Sequence, residues 1–163
     1  MNEKMSQQMA LINQNDKILD DLYHNYASAA GLSDTELWIV YIAWIQKTGF
    51  TQKEICDSWS YSRQTVNTAL TQLERRGYIR KQPLPGSRKS KQIHLTESGN
   101  AFARQVIPPL LNAESRAFAH LSLREREDFI DLMQKRTAFL QDEMTQAMDS
   151  LTVTAGPKAP VTS

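Results

Sequence analysis

The sequence predicts a mainly α-helical fold with a small β-hairpin, and three observations carry that prediction. Five helical stretches open on a Ser or Thr cap, at Ser33, Thr51, Ser62, Thr96 and Ser122. Two short strand-like runs, residues 78–82 and 91–95, flank a loop that holds Pro83, Pro85 and Gly86. Between residues 63 and 91 lie eight basic side chains (Arg63, Arg75, Arg76, Arg80, Lys81, Arg88, Lys89 and Lys91) and one acid, Glu74, a local charge of +7. The whole chain carries only +1, so the remainder sums to −6.

Residues 50–96 organise the rest. Thr51 and Glu54 make a Thr-x-x-Glu capping box that starts a short helix reaching about Trp59. A tight turn at residues 60–62 follows, and Ser62 caps a second helix from Arg63. In that helix Val66, Ala69, Leu70 and Leu73 form one apolar stripe at i, i+3, i+4 and i+7. The opposite face carries Arg63, Gln64, Asn67, Thr68 and Thr71, and Gly77 ends the helix in the left-handed conformation. Helix, tight turn, helix and basic hairpin is the layout of a winged helix-turn-helix, a unit that reads DNA. The charge agrees: a cationic patch in an otherwise mildly acidic chain is the footprint of nucleic-acid binding, although most charge runs are only solvated surface.

On these residues the sequence resembles the MarR family of bacterial transcription regulators. The resemblance runs over roughly residues 33–144. It is most specific at Thr51-Gln52-Lys53-Glu54-Ile55, Ser62-Arg63-Gln64-Thr65-Val66-Asn67, Leu73-Glu74-Arg75-Arg76-Gly77-Tyr78-Ile79 and His94-Leu95-Thr96-Glu97-Ser98-Gly99. It implies a homodimer in which each subunit carries a winged helix-turn-helix, with N- and C-terminal helices as the dimer interface. The family's wing usually has Asp-x-Arg before its second strand. Here that position reads Ser87-Arg88-Lys89, so the Asp is lost and Arg88 and Lys89 both stand as minor-groove candidates.

The expected organisation is an N-terminal dimerisation helix in residues 1–32, the winged helix-turn-helix with its central supporting helix in 33–99, C-terminal dimerisation helices in 100–151, and a disordered tail of small residues and prolines in 152–163. Residues 5–29 read as a helix with Met9, Ile12, Leu19, Leu22 and Tyr26 near one face, stopped at Gly31. Ser33-Asp34-Thr35-Glu36 is a second capping box, opening a helix to about Lys47. Leu37, Trp38, Val40, Tyr41, Trp44 and Ile45 cover more than half its circumference, which predicts central burial. Pro108-Pro109 falls inside the helix that follows the wing and predicts a kink near residues 106–107. The last helix reaches about Met148, with Phe129, Leu132, Met133, Phe139, Leu140 and Met144 on one face and Arg136 interrupting it.

Composition bounds the class. A chain of 163 residues with 40% hydrophobic and 23% charged residues is an ordinary globular protein with room for one good core. Residues 1–8 hold no apolar run of the kind a signal peptide needs. The longest apolar run, 37–45, has nine residues, far short of the roughly 20 that span a bilayer. The single cysteine, Cys56, excludes an internal disulfide, and a cytoplasmic location with no membrane association is expected.

Two terminal helices with apolar stripes have little to cover them in a chain this size, and a C2 dimer is the commonest remedy. A dimer presents two recognition helices about 34 Å apart, to an approximately palindromic operator in double-stranded DNA. Gln64 and Asn67 suit adenine edges and Arg63 suits guanine, while Ser62, Thr65 and Thr68 suit phosphates, bases or a thymine methyl. Arg88, Lys89 and Lys91 serve the wing. Arg75, Arg76, Arg80 and Lys81 flank the helix end and are assigned to phosphates or surface ion pairs.

The family resemblance also implies a small effector, commonly aromatic or phenolic, between the dimerisation region and the DNA-binding lobe. Tyr23, His24, Trp38, Tyr41 and Trp44 are the residues suited to line such a pocket, although an aromatic stripe at helical spacing is also what a core helix shows. Cys56 lies where small apolar packing is expected, and no second cysteine exists to resolve an oxidised one. No cofactor, metal site or enzymatic activity is predicted: phosphate-binding and metal-binding motifs are missing, and His24, His94 and His120 lack metal-ligand spacing. His94 reads as a surface residue of the wing. The expected function is a ligand-released repressor. The alternatives are a winged helix that docks a protein partner, or a DNA-binding protein with no ligand.

Overall fold

Polar caps set where the helices begin. In the computed structural model, which describes residues 2–84, 86 and 90–151, Asn2 caps α1 (Glu3–Ala29), Ser33 caps α2 (Asp34–Ile45), Thr51 caps α3 (Gln52–Trp59) and Ser62 caps α4 (Arg63–Arg75). The Thr96 hydroxyl accepts from the Gly99 amide at 2.9 Å and opens α5 (Glu97–Ala119). Ser122 caps α6 (Leu123–Asp149). At Ser33, Thr51 and Ser122 the third helical residue is a Glu that reaches back to the cap amide, so two otherwise unpaired donors are satisfied each time. Strands β1 (Phe50–Thr51), β2 (Ile79–Pro83) and β3 (Lys91–Leu95) form one antiparallel sheet in the order β1-β3-β2.

The described residues fall into two compact units, the first ending at Asn112 and the second starting at Ala113. In the first, Leu37, Ile39 and Val40 of α2 meet Phe50, Ile55, Val66, Leu70 and Leu73 in a core where every one of these side chains is at most 1% exposed. Ile79 and Ile93 close it from the sheet, and Ile107 closes it from α5. The apolar stripe of α4 is therefore buried as its spacing predicts, leaving the polar face outside. Gly77, at φ +72, ends the α4 turn. Thr96 and Ser98 both donate hydroxyl hydrogen bonds to the Gly77 carbonyl, at 2.5 and 2.8 Å, tying the end of α4 to the start of α5. Gly99 is required there, since a Cβ would lie 1.8 Å from the Tyr78 carbonyl oxygen.

Several details differ from expectation. β1 has only two residues, too few to show an alternating pattern, yet it pairs Phe50 with Ile93 and makes β3 the central strand. β2 begins at Ile79 and includes Pro83, which an edge strand tolerates because its missing N–H faces away from the ladder. α2 stops at Ile45, whose side chain is 52% exposed, whereas Ile39 and Ile42 are core residues. With nine consecutive apolar residues, the buried face could not be picked out by periodicity. His94 is half-buried rather than a surface residue, with its Nε2 hidden and without a hydrogen-bond partner among the described residues. α5, by contrast, runs through Pro108 and Pro109 to Ala119 as the helical pattern predicts, and the Tyr26 hydroxyl donates to the Val106 carbonyl at 2.7 Å in the turn before them.

In the second unit, Phe118 of α5 meets Phe129 of α6 edge-on at 6.3 Å. No residue of α6 is buried, and Phe129, Leu132, Met133, Phe139, Leu140 and Met144 are 48–62% exposed. α1 likewise buries only Ala27, with Met9, Ile12, Leu19 and Leu22 uncovered. The tail expected to be disordered, 152–163, lies outside the described residues.

Candidate nucleic-acid interface

α3 ends at Ser60, which adopts left-handed φ 53 and ψ 29 and turns the chain within two residues into the Ser62 cap of α4. The Gln52 amide donates to the Arg63 carbonyl at 3.0 Å and fixes the two helices at that corner. The outward face of α4 then divides by what its side chains already do. Ser62 accepts from the Thr65 amide at 3.1 Å and shares a hydroxyl hydrogen bond with Thr65 at 2.7 Å. The Thr68 and Thr71 hydroxyls return to the carbonyls of Gln64 and Asn67, at 3.0 and 2.8 Å. Arg63, Gln64 and Asn67 are exposed, and among the described residues their side chains have no hydrogen-bond or ion-pair partner. Three unengaged side chains therefore stand in a row on a helix whose position the core fixes.

The cations around them sort the same way. Lys81 is paired with Glu74 at 2.8 Å and Lys53 with Asp57. Arg76 donates to the Gly31 carbonyl at 2.7 Å and lies 4.0 Å from Glu36, a carboxylate only 4% exposed. Its role is to hold the α1–α2 corner against the end of α4, which no spacing rule in the sequence signalled. Arg63, Arg75, Arg80 and Lys91 have no acidic partner among the described residues. A cleft of about 390 Å³ runs between α4 and the hairpin, lined by Arg63, Asn67, Lys53, Lys81, Lys91 and Cys56. Cys56 is half-buried there. Arg88 and Lys89, the expected wing residues, lie outside the described residues.

Residues 30–90, the stretch from the α1–α2 corner through the hairpin loop, match the MarR family model. Over these residues the chain is similar to the MarR family. It is 31% identical over 85 residues to the transcriptional repressor MprA of Escherichia coli K12, which covers 52% of this chain and 48% of that protein. The chain thus spans about half the length of the curated relatives it matches first. The fold is shared more widely: a MarR family regulator from Neisseria meningitidis superposes with a TM-score of 0.75 at 18% identity, covering 90% of this chain and 99% of the other. MepR of S. aureus, in a complex with DNA, superposes with a TM-score of 0.68 at 20% identity, covering 80% of this chain and 96% of the other. The fold shared with these structures is a winged helix-turn-helix, with the three-stranded sheet as its wing base.

The residues suited to a MarR effector pocket are brought together only in part. Tyr23 and Tyr41 sit 4.9 and 5.4 Å from Trp38 between ring centres. Trp59, at the end of α3, joins them at 5.2 Å from Trp38 and 6.3 Å from Tyr41, and is 38% exposed. Sequence reasoning missed Trp59, although its place four residues after the core residue Ile55 was a usable signal. A recess beside Trp59, shared with Phe50 and Ile55, holds about 30 Å³, room for one water. His24 is instead engaged with Asp34 at 2.9 Å, and Trp44 lines a different recess with Arg80 and Arg104. Two tyrosines nearby have raised pKa values: Tyr26 from burial, and Tyr61 from burial and then from Asp34.

Proposed function

We propose that the chain is a dimeric transcription regulator that binds double-stranded DNA and represses from an approximately palindromic operator in the cytoplasm. One observation carries the reading: Arg63, Gln64 and Asn67 project from α4 with their hydrogen-bonding groups unspent. They stand beside a cleft whose walls include Lys81 and Lys91. Unspent Gln, Asn and Arg forks are what bidentate reading of adenine and guanine edges requires. The uncovered apolar faces of α1 and α6 supply the dimer interface. A second copy sets the half-site spacing of about one helical turn.

The test is binding to the DNA flanking its own gene across a salt series. Specific binding is expected to exceed that to random duplex by at least ~10³-fold and to fall steeply with salt. Absence of any duplex binding at low salt would sink the reading. We further propose that a small effector releases the operator by wedging into the ring cluster of Tyr23, Trp38, Tyr41 and Trp59. Small aromatic acids and phenols should then raise the thermal midpoint of wild type but not of Trp59→Ala.

A further inference from the structure

A recess of about 400 Å³ opens where the end of α2, the sheet face that carries Arg80 and His94, and the first half of α5 come together. Its walls include Lys47, Arg80 and Arg104, together with Trp44, His94 and Asn100. None of the residues lining it is acidic. None of its three cations has an acidic partner among the described residues. That distinguishes them from Lys53, Arg76 and Lys81, each of which faces a carboxylate. Like charges gathered in one concavity repel one another and raise the local concentration of anions.

His94 adds a second peculiarity. It is the cross-strand partner of Arg80, and its Nε2 is hidden with no hydrogen-bond partner among the described residues. The ring packs close to Gly49, where a Cβ would come within 2.3 Å of the imidazole, and Gly49 itself sits at φ +82. The chain thus turns on a glycine that also makes room for an imidazole the protein does not satisfy. A hidden nitrogen left unpaired is unfavourable, and such groups usually mark a site of use.

We propose that this recess binds a small, multiply charged oxyanion, a phosphate ester or polycarboxylate. Lys47, Arg80 and Arg104 hold its charge, and Trp44 forms the apolar wall. Three cations with no acid among them favour two or more negative charges over a neutral ligand or a monoanion. The volume suits a compact metabolite. The site is separate from the ring cluster around Trp38, and it stands independently of DNA binding. A bound oxyanion would cross-brace the wing strands against α5.

Isothermal titration calorimetry of the full chain with inorganic pyrophosphate, and separately with citrate, tests the proposal at low ionic strength. Saturable binding of one anion per chain is expected, and the stronger of the two probes identifies phosphoryl or carboxylate chemistry. Arg80→Ala and Arg104→Ala should each weaken it by about tenfold. Both side chains are exposed, so thermal midpoints without anion should stay at the wild-type value. Arg63→Ala, on the α4 face, should leave the affinity unchanged. No saturable binding by either probe overturns the proposal, as does an equal loss in Arg63→Ala, which would mean diffuse attraction to a cationic lobe. If Arg80→Ala and Arg104→Ala weaken duplex DNA binding while neither probe binds, the recess is a DNA-backbone contact and the proposal fails.

Discussion

α2 and α6 start with the same device and meet opposite surroundings. Each opens on a Ser whose hydroxyl caps the third helical amide, answered by a Glu that caps the Ser amide. α2 has 12 residues and buries six of them, including Glu36. α6 has 27 residues and buries none. A capping box fixes where a helix starts but says nothing about what covers it. In α2 apolar residues run almost all the way round, so several neighbours pack against it and α2 becomes the centre of the first unit. In α6 they occupy one stripe on a long, otherwise polar helix, and within a single chain that stripe stays open. One helix is completed by its own fold; the other keeps its apolar stripe uncovered.

The largest effect should come from cutting into α2. Leu37 is fully buried, so Leu37→Ala removes a side chain from a site that cannot collapse, and a loss of about 2–5 kcal/mol of unfolding free energy is expected. Urea denaturation measures it. A loss under about 1 kcal/mol would mean that α2 is not the centre of the core. Gly99→Ala probes the same unit through the backbone, because its Cβ would collide with the Tyr78 carbonyl. Its loss should be of similar size, about 2–4 kcal/mol.

Changes on α6 should act on association instead. Leu132→Glu with Phe139→Glu places two carboxylates on the uncovered stripe, where both side chains are 62% exposed. The dimer dissociation constant should rise by about 100-fold or more, the scale of interface anchor residues. Sedimentation velocity over a concentration series reads this directly. Wild type that stays monomeric at high concentration would remove the distinction between the two helices, since α6 would then stand alone with its stripe open.

What the sequence made legible follows the same division. Caps and periodic stripes are local, so Ser33, Thr51, Ser62 and Ser122 marked their helices, and Val66, Ala69, Leu70 and Leu73 marked the buried side of α4. The polar side of α4 followed by subtraction. What depended on distant partners was not readable. β1 exists because β3 passes beside Phe50, Arg76 serves Gly31 across 45 residues of sequence and Glu36 beside it, and His94 is hidden because Gly49 leaves space above it. Trp44 and His24 carry the right chemistry for an aromatic pocket, yet α2 turns Trp44 to another recess and Asp34 engages His24. Helical spacing orders residues around an axis; it does not say which neighbour each face meets.

A smaller effect is expected on the exposed face of α4, where folding and reading separate. Asn67 is exposed and its side chain is unengaged among the described residues, so Asn67→Ala should leave stability within about 0.5 kcal/mol of wild type. Discrimination between operator and random duplex should shrink by about 1–3 kcal/mol, the worth of one bidentate base contact. Fluorescence anisotropy with both duplexes at one salt concentration gives the two numbers. Equal weakening on both would assign Asn67 to the backbone rather than to bases.

The smallest effect returns to the capping boxes. Glu125 is fully exposed, and its carboxyl pKa is held below the ordinary glutamate range by hydrogen bonds from Ser122, side chain first and backbone amide second. Ionised, it also suits the positive end of the α6 dipole. A carboxylate whose folded-state pKa is depressed contributes stability that is fully present above the unfolded pKa. That contribution is lost as pH falls through the folded value. Glu125→Gln keeps an acceptor for the Ser122 amide but cannot titrate. The thermal midpoint of wild type should therefore exceed that of Glu125→Gln at neutral pH by a small margin, and the margin should close as pH falls below the ordinary glutamate range. A margin that stays constant with pH would show that geometry alone, and not the charge, secures this helix start. Because Glu125 lies in solvent, added salt should also narrow the margin at neutral pH, separating its charge from the packing that surrounds Glu36 in α2.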